Sequence, residues 1–366
     1  MVHDVWIEVD LSALEHNFKQ IRSVVPESSR IMAVVKGNGF GHGMVEPAKT
    51  FLQAGADMLA VTRLEEALAL RDAGLECPIL MFAPIQSANA QLAVDAELDM
   101  TVADIELARS ISQAALDSGK SARVWVKVDT GMGRLGVLPG DATGFVKEAA
   151  ALPGVSIAGI FTHFATAMQR SLFRTREQMQ AFAEVLNELK INQIDYGMTS
   201  AANSAAIMRM PESHLDIVRP GTLLYGQYPS SSVPHKLDLK PTWTLKARIC
   251  QLKEVPKGSS IGYGAEYRVE RDTRIAILPV GYADGFTMSP EDQMYRHGVL
   301  RYVFNKARRR LCVRINGHRA QVLGRVAMQT TIIDVTGIGG IEVGDEAVIP
   351  ARRIATNPLI PRVYTR

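Results

Sequence analysis

Apolar and polar positions fall into two kinds of segment over the first two thirds of the chain. The first kind is a short β-branched or apolar run. It recurs as IMAVVK (31–36), DMLAVT (57–62), PILMF (78–82), DMTVAD (99–104), RVWVKVD (123–129), IAGIFTHF (157–164), QIDYGMTS (193–200) and DIVRPG (216–221). The second kind lies between most of these runs and has helical spacing. In TRLEEALALRDAG, Leu64, Ala67, Leu68 and Arg71 stand at i, i+3, i+4 and i+7, and Gly74 marks the stop. SLFRTREQMQAFAEVLNELK is a longer example. Strands alternating with such helices make βα units and a parallel sheet. Eight of them predict an α/β fold, a (β/α)8 TIM barrel. The competitor is a doubly wound sheet with G-x-G-x-x-G after its first strand. GNGFGHG has its glycines at the wrong spacing and follows a lysine, which disfavours that fold.

The pattern changes after about residue 225. YPSSSVPHKLDLKP (228–241) is rich in Ser and Pro and reads as a linker. Beyond it TWTLKARICQLKEV, RIAILPVGY, LCVRINGHRAQVLGRV, TTIIDVT and DEAVIPA are β-branched runs with little helix between them. A barrel over 10–228 and a C-terminal β domain over 240–366 follow. The polar, basic stretch 287–310 reads as a solvated loop.

A length of 366 residues suits a large barrel plus a second domain. The net charge is +3, with Lys and Arg spread along the chain, so no nucleic-acid partner is expected. Three cysteines, Cys77, Cys250 and Cys312, are too few and too scattered for a disulfide framework or a thiolate zinc site, and no metal is expected. The first residues have no basic segment leading into an apolar one, and no apolar run is long enough to cross a membrane. The expectation is a soluble cytoplasmic protein.

Barrel enzymes carry their chemistry at the C-terminal ends of the strands. Those ends supply Lys36, then Lys127, Asp129 and Arg134, then Thr162 and His163, then Ser200 followed by AANSA, then Arg219, Pro220 and Gly221. Asn203 and Ser204 start a helix after the seventh strand, and Gly221 permits close backbone approach after the eighth. One mouth would then hold a phosphate cradle, several cations and a lysine. A phosphorylated aldehyde cofactor joined to the lysine, pyridoxal 5'-phosphate, satisfies all of them. Each residue alone has a plainer reading. Lys36 could snorkel from a strand end, His163 could be structural, and Asn203 could be only an N-cap. Arg219 before Pro could lie on the surface, and Asp129 with Arg134 could be a loop ion pair. Periodicity alone reaches a phosphate-binding barrel enzyme.

AVVKGNGFGHG (33–43) resembles the cofactor-lysine motif of the alanine racemase family, usually close to A-V-V-K-A-N-A-Y-G-H-G. The resemblance continues in order through KVDTGMGRLGV (127–137), FTHFATA (161–167), AANSAA (201–206), VRPGTLLYG (218–226), IGYGAEY (261–267), LPVGYADGF (278–286), GRVAMQ (324–329) and PRVY (361–364). It implies a pyridoxal phosphate-dependent amino acid racemase, with alanine the first substrate expected. It also implies a homodimer with shared active sites, in which the N-terminal segment (1–9) joins the β domain. By position, Lys36 would hold the cofactor and act as one catalytic base. Tyr263 from the partner subunit would be the other, since racemisation takes a proton from one face of Cα and returns it to the opposite face. A phenol near pKa 10 needs cationic neighbours to act as a base; His163 and Arg219 would supply them. Arg219 would face the pyridine nitrogen and Arg134 the cofactor's phenolic oxygen and the substrate. Lys127 matches a lysine carbamylated in many members. Asn203, Ser204, Gly221 and Thr222 would hold the phosphate, and Met328 from the partner subunit would offer its backbone N–H to the substrate carboxylate.

Four departures bear on the substrate. The motif tyrosine that bonds the phosphate is Phe40 here, a loss of ~1 kcal/mol, and both motif alanines are glycines, Gly37 and Gly39. Gln329 replaces the usual aspartate after the methionine. Phe286, Thr287 and Met288 replace Tyr-Pro-Arg ahead of the basic 287–310 insertion. The C-terminal segment whose tyrosine narrows the pocket entrance has no clear match. These motivate the alternatives: a racemase of serine, of a larger or a specialised amino acid, or another carbanion reaction on the same fold.

Overall fold

A computed structural model describes residues 2–288 and 311–366, so nearly all of the basic insertion read at 287–310 lies outside the described residues. The chain forms two compact units, one of Leu11–Thr242 and one of Met1–Asp10 with Trp243–Arg366.

The N-terminal strand β1 (Val5–Asp10) belongs to the second of these. The first unit is built on β2 (Arg30–Val34), β3 (Met58–Val61), β4 (Ile79–Met81), β5 (Asp99–Val102), β6 (Ala122–Lys127), β7 (Val155–Phe161), β8 (Met198–Ser200) and β9 (Ile217–Val218). All adjacent pairs are parallel, in the order β8 to β2 and then β9. The seam between β8 and β9 is short. A parallel bridge pairs Asn203 with Arg219 there, the Arg219 N–H donates to the Ala202 carbonyl at 2.9 Å, and the Ser200 hydroxyl donates to the Ile217 carbonyl at 2.5 Å. That closes the barrel.

Each strand falls on one of the eight apolar runs, because strands buried on both faces are apolar along their whole length. Met32, Val34, Met58, Ala60, Leu80, Trp125, Ala158, Phe161 and Ile217 fill the barrel. Each fully buried large side chain contributes roughly 1.5–3 kcal/mol. Gly159 is there by necessity, since a Cβ on it would stand 2.5 Å from the Trp125 ring. The Trp125 indole donates to the buried Asp99 carboxylate at 2.8 Å, and Arg123 pairs with that carboxylate at 2.7 Å. The two helical patterns become helices Leu64–Asp72, followed by left-handed Gly74, and Phe173–Ile191.

One boundary differs from expectation. The first barrel strand stops at Val34, before Lys36. Gly37, Asn38, Gly39 and Phe40 then take φ of 64°, 52°, 62° and 52°, a left-handed turn. Two of the four are glycines, which enter that region without a Cβ penalty. Alanine-to-glycine exchange therefore suits a particular turn and does more than free the loop.

Among the described residues, the second unit is a nine-stranded sheet. Its order is Gln251–Val255, Thr273–Leu278, Thr331–Asp334, His318–Val322, Cys312–Ile315, Glu346–Ile349, Trp243–Arg248, β1 and Arg362–Thr365. β1 pairs antiparallel with Trp243–Arg248 and parallel with Arg362–Thr365. Ile261, Val269, Ile275 and Leu323 pack as a small core.

Candidate active site

The C-terminal strand ends of the barrel surround a cavity of about 300 Å³ lined by Lys36, His163, Asn203, Ser204, Arg219, Gly221 and Thr222, among others. Lys36, His163 and Arg219 also line a second cavity of about 180 Å³, together with Thr62, Lys127 and Arg134. The structure thus gathers Lys127 and every cofactor-site residue expected from the sequence.

Lys36 is half-buried, 5.8 Å from the Phe82 ring centroid. Burial first, then Arg134, lowers its proton affinity, and Glu66 pushes the other way. Arg219 is 3% exposed. Its guanidinium donates to the Thr162 carbonyl at 2.6 Å, to the Ala201 carbonyl at 3.3 Å and to the Ser200 hydroxyl. Burial pushes it down to about 9, which leaves it charged at neutral pH. The expectation of a surface arginine before proline is set aside by these three bonds.

Lys127 stands 4.4 Å over the Phe161 ring, and Arg219 stands 5.3 Å from the same ring, so one aromatic ring is shared by two cations. Burial, then Arg219 and Arg134, brings Lys127 down to about 7; Asp129 opposes them. His163 falls well below the ordinary imidazole range through burial, then Arg219, Lys127, Arg134 and Lys36. It is neutral at physiological pH. That corrects the expected cationic His163: burial first, and then the charges that share the mouth, keep the imidazole from gaining a proton.

Asp129 and Arg134 are not an ion pair. The Asp129 carboxylate accepts the backbone N–H groups of Gly131 at 3.0 Å, Met132 at 2.7 Å, Gly133 at 3.1 Å and Arg134 at 3.0 Å. Burial raises its pKa, but these four bonds outweigh burial and hold it below the usual carboxylate range. The loop is wound around a carboxylate, which frees the Arg134 guanidinium to face the cavity.

Asn203 caps the short helix Ser204–Arg209 by accepting the N–H groups of Ala205 and Ala206, each at 3.1 Å. The Ser204 hydroxyl accepts the Gly221 N–H at 2.8 Å. A Cβ on Gly221 would stand 3.1 Å from the Phe40 ring, so any other residue there would press on that ring. The Thr222 hydroxyl is buried and has no hydrogen-bond partner. A buried donor of this kind is costly unless something accepts from it, and a phosphate is the acceptor that this cluster of hydroxyls and cations fits.

Tyr263 and Met328 lie in the second unit, 73% and 59% exposed. Neither is among the residues lining the two cavities. Tyr263 sits between Gly262 and Gly264, both at φ 73°.

Residues 9–229 match the family model described as alanine racemase, N-terminal domain, and residues 242–359 match alanine racemase, C-terminal domain. The chain belongs to the alanine racemase family. The protein named alanine racemase from Desulforamulus reducens is 43% identical, over 97% of this chain and 94% of its own. That from Methanococcus maripaludis is 41% identical, over 95% and 89%. The solved alanine racemase of Clostridium difficile 630 superposes with a TM-score of 0.91 at 30% identity, covering 100% of this chain and 96% of that one.

Sequence reasoning missed Thr62, Phe82 and Phe161, which line the cavities, and Glu66, which shapes the turn beside them. Thr62, Phe82 and Phe161 sit at or just beyond the ends of β3, β4 and β7. Reading every strand end for what it presents, apolar residues included, would have found all three.

Proposed function

We propose that this protein interconverts L- and D-alanine with pyridoxal 5'-phosphate, as a homodimer in the cytoplasm, by a two-base mechanism. The observation that carries this reading is a lysine of lowered proton affinity at the mouth of an alanine racemase-family barrel, beside a buried arginine and an unsatisfied hydroxyl cradle. When bound, the cofactor draws electrons away from the substrate Cα and so makes its proton easier to lose.

The protein's own groups do the rest. Lys36 must be neutral to join the cofactor aldehyde, and burial with Arg134 favours that state. It then takes or returns a proton on one face of Cα, while Tyr263 of the partner subunit serves the other. Arg219, fixed by three oxygen acceptors, would sit against the ring nitrogen of the bound cofactor. A guanidinium does not give up a proton at neutral pH, so the ring would stay less electron-withdrawing, which would limit side reactions. Asn203, Ser204, Gly221 and Thr222 would hold the phosphate. Arg134 would bond the phenolic oxygen and, with the backbone N–H of Met328 of the partner subunit, the substrate carboxylate. Lys127, near 7, is partly neutral at physiological pH. Its amine adds to carbon dioxide, losing a proton, and the resulting carbamate gives Arg134 an anionic partner.

The test is a panel of L- and D-amino acids incubated with the protein and cofactor and separated on a chiral column. Alanine converted fastest in both directions supports the reading. A second reading, racemisation of another amino acid, is favoured by exposed Gln329 in place of the family's aspartate; alanine ranking well below another substrate would establish it.

A further inference from the structure

The left-handed turn that begins at Lys36 lies between the end of β2 at Val34 and a helix that starts at Val45. Within the turn, Gly39 N–H donates to the Val35 carbonyl at 2.8 Å and Gly41 N–H to the Gly37 carbonyl at 3.1 Å. The N–H groups of Gly37 and Asn38 go elsewhere, to one oxygen of the Glu66 carboxylate at 2.6 and 3.2 Å. The other Glu66 oxygen accepts the N–H groups of Thr62 at 3.1 Å and Arg63 at 3.2 Å. The bond to Arg63 is ordinary capping, a glutamate at the third position of helix Leu64–Asp72 reaching back to the N-cap amide. Capping needs only one oxygen. The second crosses to a different loop, and the two segments so joined, at Lys36 and Thr62, both line the smaller cavity.

We propose that Glu66 is a positioning residue for Lys36: its carboxylate fastens the left-handed turn to the end of β3 and fixes the direction from which the lysine amine meets the cofactor aldehyde. This rests on the reading of Lys36 as the cofactor lysine. Two features of the turn make such a fastener necessary. Gly37 and Gly39 carry no side chains to pack, and Phe40 adopts a φ of 52° only when the surroundings impose it. Glu66 also acts on the lysine through its charge. It opposes the effect of Arg134 and of burial on Lys36. The other charged or titratable groups lining that cavity are Lys127, His163, Arg134 and Arg219, of which the first is partly charged, the imidazole neutral, and both arginines cationic. Removing the Glu66 charge therefore lets Lys36 lose its proton at lower pH.

The experiment uses the full chain stripped of cofactor, wild type and variants Glu66→Gln, Glu66→Asp and, as an exposed control, Glu65→Gln. Pyridoxal 5'-phosphate is added at a series of pH values. The rate of attachment is read from the shift in cofactor absorbance, and the attachment point from borohydride reduction and peptide mass. In wild type the rate rises with pH to a plateau as Lys36 loses its proton. Glu66→Gln is expected to move the midpoint to lower pH and to drop the plateau about tenfold, the loss expected from charge-assisted bonds to two amides. Glu66→Asp keeps the charge but is too short to span both loops, so its plateau falls while its midpoint stays near that of wild type. Glu65→Gln changes neither. If both Glu66 variants keep the wild-type plateau and midpoint, even with a lowered melting temperature, Glu66 is only a helix cap and the inference is overturned. Should Glu66→Gln fail to fold, the Glu66→Asp plateau decides alone, a fall supporting the inference and a wild-type value overturning it. A wild-type protein that traps no cofactor on Lys36 overturns the functional reading instead, which keeps the two failures distinct.

Discussion

The barrel mouth and the β unit carry the two proposed bases in opposite settings. Lys36 is half-buried, in a turn tied by two amide bonds to a Glu66 carboxylate that two amides of another loop also hold, and burial with Arg134 lowers its proton affinity. Tyr263 stands 73% exposed between two glycines in the left-handed region. The mouth is held by bonds within the barrel: its arginine has three oxygen acceptors and its loop is wound on Asp129. The tyrosine stands on an exposed surface of the second unit. On the proposed reading, the contrast teaches how two bases can divide the labour. The base that would also hold the cofactor is fastened in the barrel mouth, and the opposing base is offered on a preformed turn.

Substitutions separate the two settings. Lys36→Ala is expected to have the largest effect, abolishing cofactor attachment and lowering racemisation by at least about 10⁴-fold in a chiral assay. Tyr263→Phe should lower racemisation by about 10²–10⁴-fold while leaving cofactor absorbance intact. Because Tyr263 is exposed, its removal should shift chemical unfolding by less than about 0.5 kcal/mol. Arg219→Ala should do the reverse in stability, costing roughly 2–3 kcal/mol in the same unfolding measurement, because it strands buried acceptors at Ser200, Thr162 and Ala201. Equal destabilisation by the Tyr263 and Arg219 variants would break the comparison.

Lys127 gives the mouth a pH signature of its own. Its folded-state value, about 7, lies below the ordinary lysine value of 10.5. Between those values the unfolded chain binds more protons than the folded one, so stability rises with pH across that window. In cofactor-free protein without carbon dioxide, urea midpoints should climb from pH 7 toward pH 10, and Lys127→Met should flatten the climb. The smallest effect is expected from Phe40→Tyr. A restored hydroxyl beside Gly221 should tighten cofactor retention by ~1 kcal/mol, about fivefold, in equilibrium dialysis.

Much of the fold is legible in the chain. All eight barrel strands fall on apolar runs, because strands covered on both faces leave an unmistakable pattern. The strand-end rule then brings Lys36, Lys127, His163 and Arg219 to one mouth from the amino-acid sequence alone. Three features needed the structure. Gly-Asn-Gly signals a turn, but its hand and length depend on what holds Gly37 and Asn38, and that holder, Glu66, lies in another loop. The lowered proton affinity of His163 depends first on its burial and then on the basic side chains gathered around it, which no spacing reveals. Asp129 beside Arg134 in sequence suggests a salt bridge, yet the carboxylate prefers four convergent amides. Tyr263 and Met328 are found by resemblance to the family motif, since nothing in local periodicity marks an exposed tyrosine as a base.

The most direct test of the two-base account is exchange of the alanine Cα proton in D2O, followed by NMR for each enantiomer with the Tyr263→Phe variant and pyridoxal 5'-phosphate. The account predicts that one enantiomer, the one whose proton faces Lys36, still takes up deuterium with retained configuration, while exchange of the other and net inversion are lost. Continued inversion of both enantiomers at the wild-type rate would contradict it and send the search to a different second base.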